Sequence, residues 1–171
     1  GEITRVGIDA QDRFNVGDLV CVFPLIPCFN CLSCKQKLYA LCKDYNYYGS
    51  RRNGGFAERL NVNQWNLLKI PDGLDIEDCA LVEPTAVALH AVEKLNLKFK
   101  EESQICILGA GFIGLMAVQI INRFYPQCEV VIIDRNQYKL DIGAKYGAIT
   151  QLVGDSKSWE VFLLENLNRF D

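Results

Sequence analysis

The chain has 171 residues, half of them hydrophobic, enough for one large domain or two small ones with a buried core. It carries 18 Lys and Arg against 21 Asp and Glu, and a net charge of −3 offers no basic surface for nucleic acid or an anionic membrane. The longest apolar run, 106–118, falls short of the about 20 residues of a membrane span and is interrupted by glycines.

In chain order, short strands are expected at 2–6, 19–23, 56–62 and 67–70, separated by turns rich in Gly, Asn, Asp and Pro. Between the second and third strands lie Cys28, Cys31, Cys34 and Cys42, at intervals of three, three and eight residues. So dense a spacing lets one lobe, about 24–48, wrap four thiolates around one ion. Zinc suits it, because this borderline-soft ion takes four thiolates tetrahedrally and such a closed site leaves no position for water or substrate. The expected role is therefore structural. Bacterial ferredoxins have a shorter final interval and a trailing Pro, which counts against an iron–sulfur cluster. A disulfide framework would need an oxidising compartment, whereas Cys21, Cys79, Cys106 and Cys128 lie in apolar stretches without a pairing pattern. They read as buried thiols in a cytoplasmic protein.

Asp75 is placed to cap a helix running through Ala80 to Glu83, and Pro84 is expected to break it before a second helix to about Leu95. The only histidine, His90, reads as a core or helix-packing residue. Alternating elements follow: strands at 104–108, 129–133 and 150–153, and helices at 112–124, 137–146 and 156–168, the last with an apolar stripe of Trp159, Phe162 and Leu163. Apolar strands alternating with helices imply a parallel sheet covered on both faces.

The first strand of that series runs into Gly109-Ala110-Gly111-Phe112-Ile113-Gly114, and the second ends in Asp134, twenty residues beyond Gly114. A lone Gly-x-Gly-x-x-Gly is weak, but strand, turn, helix, strand and terminal acid together form the context of a dinucleotide site. Gly109 permits the tight turn, Gly111 admits the pyrophosphate, and Gly114 lets the helix close on the strand. Phe112 and Ile113 open a helix whose N-terminus attracts phosphate. Asp134 would accept from both ribose hydroxyls and repel a 2′-phosphate, favouring NAD over NADP. Arg135 beside it is expected to lie along the adenine or in solvent.

A cysteine lobe followed by a dinucleotide fingerprint resembles the medium-chain zinc-dependent alcohol and polyol dehydrogenases. Asn15-Val16-Gly17-Asp18 is similar to the turn ahead of their zinc lobe, and Gly54-Gly55-Phe56-Ala57-Glu58 to the strand after it. The segment Gly49 to Glu58, with Val82-Glu83-Pro84 and Leu89-His90-Ala91, resembles the sorbitol dehydrogenase group, galactitol-1-phosphate dehydrogenases most of all.

The resemblance implies a partial mainly-β GroES-like catalytic domain over 1–98 and the first half of a Rossmann domain over 99–171. It implies hydride transfer from a polyol or polyol phosphate to NAD, with a second, catalytic zinc. Glu83 matches a family ligand to that zinc; the family's upstream Cys and Gly-His-Glu segments have no counterpart, so the chain reads as an internal fragment, inactive alone, whose catalytic residues are unknown. Family members are dimers or tetramers, which implies a homo-oligomer for the full-length enzyme. Arg51 and Arg52 could contact a substrate phosphate or be solvated loop charges. The rival reading is a non-enzymatic zinc- and nucleotide-binding module or an inactive remnant.

Overall fold

A computed structural model describes residues 1–96, 103–154, 161–162 and 164–165. The chain forms two compact units, Gly1–Val82 and Glu83–Asp171.

The first unit has little regular structure. Strand β1 (Val20–Val22) pairs antiparallel with β4 (Leu67–Lys69), and β2 (Leu25–Ile26) with β3 (Asn46–Tyr47). Its apolar core is small: Ile3, Phe14 and Val20 are buried, with Val6, Ala10 and Leu67 against them. Where strands are expected at 2–6 and 56–62, the structure has only an isolated bridge between Glu2 and Leu19 and an irregular segment with Phe56 fully exposed. Both segments mix apolar and β-branched residues between turn residues, yet neither gains a full hydrogen-bonded neighbour, and composition alone does not make a strand.

Asp75 does cap a short helix, α2 (Ile76–Cys79), its carboxylate accepting from the Glu77 backbone N–H. The expected break at Pro84 falls earlier, at Ala80 and Leu81, and α3 (Val82–Lys94) already contains Pro84. Pro84 is the third residue of α3, where the backbone N–H would have no intrahelical partner, so the ring costs no hydrogen bond. The expected packing of His90 is not found, for it is exposed on α3. The buried face of that helix is carried by Ala88 and Val92.

In the second unit, β5 (Ser103–Leu108), β6 (Cys128–Asp134) and β7 (Ile149–Leu152) form a parallel sheet in the order β5-β6-β7. Helix α4 (Phe112–Phe124) connects the first two strands and α5 (Gln137–Lys145) the second two. Val130, Val131, Ile132 and Ile133 are all buried in succession, as a strand covered on both faces requires. Val130 and Ile132 join Ala88, Val92, Val118, Ile121 and Leu140 in the larger core. Val131 and Ile133 point the other way, toward Val153, Cys106 and Phe162. Residues 161–162 and 164–165 are helical, within the expected last helix; Trp159 and Leu163 lie outside the described residues. Gly147, with φ +89°, follows α5 in the left-handed conformation that a side chain would resist.

Candidate metal centre and nucleotide turn

The cysteine lobe is a sequence of tight turns with two short helical pieces. Cys28 ends an extended stretch, and Phe29 adopts φ +60°, which turns the chain so that Cys31 comes back toward Cys28. Cys34 lies in α1 (Leu32–Lys35), and Cys42 ends a 3-10 turn over Tyr39–Leu41. All four sulfurs lie within 4.8 Å of one another. Two of the separations are 3.9 Å, Cys28 to Cys34, and 4.0 Å, Cys31 to Cys42. Sulfurs held tetrahedrally at about 2.3 Å from an ion stand about 3.8 Å apart, so the four fit a structural zinc ion. The same separations are far too long for disulfide bonds.

Backbone donors prepare the sulfurs for negative charge. The Cys31 N–H donates to the Cys28 sulfur at 3.4 Å, and the Cys28 N–H to the Cys42 sulfur at 3.3 Å. The Cys31 thiol is pulled down to about 6, first by the Cys34 backbone N–H. Burial pushes the Cys34 thiol up to about 12, helped by hydrogen bonds that this thiol itself donates to the Cys31 and Cys42 sulfurs. Four sulfurs so close cannot all ionise against one another; a divalent ion replaces their protons and removes the conflict.

An aromatic cluster ties the lobe to the body of the unit. The Trp65 ring lies 5.1 Å from Phe29, 5.2 Å from Tyr39 and 5.7 Å from Phe23, the first two edge-on. Trp65 is set by a local turn in which the Asn63 side chain accepts from its backbone N–H. Its neighbour Asn66 is buried, and the side-chain amide donates to the carbonyls of Phe23 and Leu25, both at 2.6 Å, fixing the chain that enters the lobe. Neither role was visible in the sequence; a short Asn-rich turn before β4 is the only local signal.

Arg51 and Arg52 are exposed, and each lies against a tyrosine ring. The Arg51 guanidinium lies 3.9 Å from the centre of the Tyr45 ring and donates to the Tyr45 carbonyl at 2.9 Å. Arg52 lies over Tyr48, 5.3 Å from its ring centre. Both brace the segment leaving the lobe.

The nucleotide turn follows β5. Gly109 has φ +100°, beyond the comfortable range of a side chain. A methyl group on Gly114 would collide with the Gly109 carbonyl oxygen and press on Ile107, so helix and strand meet there only because no side chain intervenes. Around Gly111 the space is open, with nothing within 4 Å of where a side chain would begin. Gly111 is the N-cap of α4 and offers no side-chain acceptor, which leaves the first N–H groups of Phe112, Ile113 and Gly114 pointing at that opening.

Asp134 ends β6 beside this turn. One carboxylate oxygen accepts from the Ala110 N–H at 2.7 Å and the other from the Asn136 N–H at 2.9 Å. Partial burial raises its pKa, but those two N–H groups and the charge of Lys139 outweigh burial and hold it below the usual carboxylate range. The folded value lies below the unfolded one, so this stabilisation is complete above the unfolded pKa and is lost as the pH falls through the folded value. The carboxylate keeps free lone pairs for hydroxyl donors. Arg135 is exposed. The residue types and the shape of the turn thus suit a dinucleotide. Glu83, in the first turn of α3, is exposed and within the second unit.

Residues 1–72 match the alcohol dehydrogenase GroES-like domain. Galactitol 1-phosphate 5-dehydrogenase of Escherichia coli K12 is 38% identical over 149 residues, which are 87% of this chain and 42% of the relative. Sorbitol dehydrogenase of Bacillus subtilis is 36% identical over 149 residues, 86% of this chain and 41% of the relative. The crystal structure of galactitol-1-phosphate dehydrogenase from Escherichia coli superposes with a TM-score of 0.78 at 35% identity, covering 96% of this chain and 47% of that one. Residues 1–72 thus belong to the alcohol dehydrogenase GroES-like domain family, and most of the chain is similar to polyol dehydrogenases. The chain spans less than half the length of the relatives it matches. The expected class, a GroES-like mainly-β part followed by a parallel α/β part, is the observed one. Among the described residues, no helix is long and apolar enough to cross a membrane.

Proposed function

We propose that the chain is part of a zinc-containing dehydrogenase that moves a hydride from a polyol or polyol phosphate to NAD, with galactitol 1-phosphate the first substrate to test. The observation that carries this reading is the joint geometry of α4 and Asp134: an uncapped helix N-terminus facing open space at Gly111, beside a carboxylate held ionised at the end of β6. The backbone N–H groups of Phe112, Ile113 and Gly114 would hold the pyrophosphate, and Asp134 would accept from the ribose hydroxyls. A 2′-phosphate would bring a second negative charge against the carboxylate, and exposed Arg135 lies free to stack beside the adenine. The substrate class rests on the relatives, named for galactitol 1-phosphate and sorbitol.

The Cys28, Cys31, Cys34 and Cys42 site is closed by four sulfurs, and its part is to hold the lobe. Glu83 is the candidate donor of this chain to a second, catalytic zinc. Such an ion, when bound, polarises an alcohol oxygen and lowers its pKa. As Glu83 is exposed, its carboxylate is available without first breaking a buried contact.

The test uses the full-length protein with NAD or NADP and galactitol 1-phosphate, galactitol or sorbitol, followed as nicotinamide reduction. NAD should be preferred, and Asp134→Ser should erode that preference by at least about tenfold, since one change removes both the ribose acceptor and the repelling charge. Glu83→Ala should lower turnover while the cysteine-bound zinc stays in place. An unchanged ratio of catalytic efficiencies for the two cofactors would remove Asp134 from the ribose site; no oxidation of any polyol by zinc-loaded protein would end the enzymatic reading.

A further inference from the structure

Outside the four-cysteine cluster, two further thiols meet in the first unit. Cys21 lies in the middle of β1, and Cys79 is the last residue of α2. The Cys21 thiol donates to the backbone carbonyl of Cys79 at 3.4 Å, across 58 residues of chain. The sulfur of one cysteine therefore rests against the other residue itself. Cys21 is partly exposed, whereas Cys79 is buried, and neither belongs to the metal-binding group. The Cys79 thiol is pushed up by burial first, and then by the charge and hydrogen bonding of Cys21.

We propose that Cys21 and Cys79 are an oxidisable pair, which a hydroperoxide converts to a disulfide joining β1 to α2. Cys21, the accessible partner, reacts first. Its thiolate attacks the outer peroxide oxygen, the O–O bond breaks, and a sulfenic acid forms on Cys21 as the alcohol, or water from hydrogen peroxide, departs. The Cys79 sulfur then attacks the sulfenic sulfur; the S–O bond breaks and water leaves, carrying the proton lost by Cys79. Each sulfur gives up one electron and each peroxide oxygen gains one. The new bond encloses residues 22–78, so the whole cysteine lobe lies within one covalent loop. The pair is thus independent of hydride transfer and of the metal site: it responds to peroxide by locking the unit that carries the lobe.

The experiment treats the zinc-loaded full-length protein with a small excess of hydrogen peroxide, alkylates remaining thiols, and digests without reduction. Chymotrypsin added to trypsin cuts after Leu25, the Phe23–Pro24 bond being resistant, and separates Cys21 from the cluster cysteines. Mass spectrometry should find a peptide pair containing Cys21 and Cys79, lighter than its two thiol forms by two hydrogens, while Cys106 and Cys128 stay alkylated. Recovery of both Cys21 and Cys79 in alkylated form, or their separate conversion to sulfinic acids, would overturn the proposal. This map needs no variant. In Cys79→Ser, Cys21 should persist as a sulfenic acid that dimedone labels, and an unlabelled Cys21 in oxidised variant protein would count against it as the attacking thiol.

Discussion

The two units of this chain are held together by different physics. The second has a conventional core, in which, among the described residues, eleven buried ones from α3, α4, β6, α5 and neighbouring turns pack on one face of a parallel sheet. The first buries three residues in its apolar core and compensates with four sulfurs, an aromatic cluster around Trp65 and the paired hydrogen bonds of Asn66. A region too irregular to bury much apolar surface needs another source of order, and a metal ion supplies it in one binding event. Loss of the ion should therefore be a local catastrophe, whereas loss of a core side chain should weaken the sheet by a graded amount.

The sharpest way to break that contrast is Cys42→Ser. Zinc binding at such sites is worth on the order of 10 kcal/mol and is inseparable from local folding, so the variant should release its zinc and loosen residues 24–48. Hydrogen exchange should show protection lost there and retained over 128–134. A metal-free lobe that keeps its protection would show that the aromatic cluster suffices. Next in size comes Ile132→Ala, which empties a fully buried site between β6 and the helices. It should cost about 2–5 kcal/mol in denaturant titration while leaving zinc content unchanged, and a cost below about 1 kcal/mol would mean the core has collapsed to fill the space. The smallest effect is expected from Arg51→Ala, which removes the stack on Tyr45 and one carbonyl bond near the surface. It should cost about 1 kcal/mol or less, with equal losses on phosphorylated and unphosphorylated polyols. A loss confined to the phosphorylated substrate would turn this brace into a recognition residue.

The same contrast decides what the sequence reveals. In the second unit the elements from β5 to β7 could be placed nearly to the residue, because apolar strands, the glycine turn and the periodicity of α4 all pointed to one arrangement. In the first unit the chemistry could be read but the shape could not. The cysteine spacing predicts the cluster, yet segments 2–6 and 56–62 look like strands and are not, because a strand also needs a partner that local sequence does not specify. Trp65 and Asn66 escaped for the same reason: the partners of Asn66, Phe23 and Leu25, lie 43 and 41 residues away. Pro84 misled in another manner, since a proline in the first turn of a helix starts it as readily as it ends one.

The ring cluster around Trp65 has a practical corollary. The chain contains only two tryptophans, Trp65 and Trp159, and Trp65 is packed against two rings carried by the cysteine lobe, Phe29 and Tyr39. Any rearrangement of that lobe changes the surroundings of the indole. With Trp159 replaced by Phe, the emission of Trp65 becomes an optical gauge of lobe order, by which chelation, refolding and metal exchange can be followed in real time without an added dye.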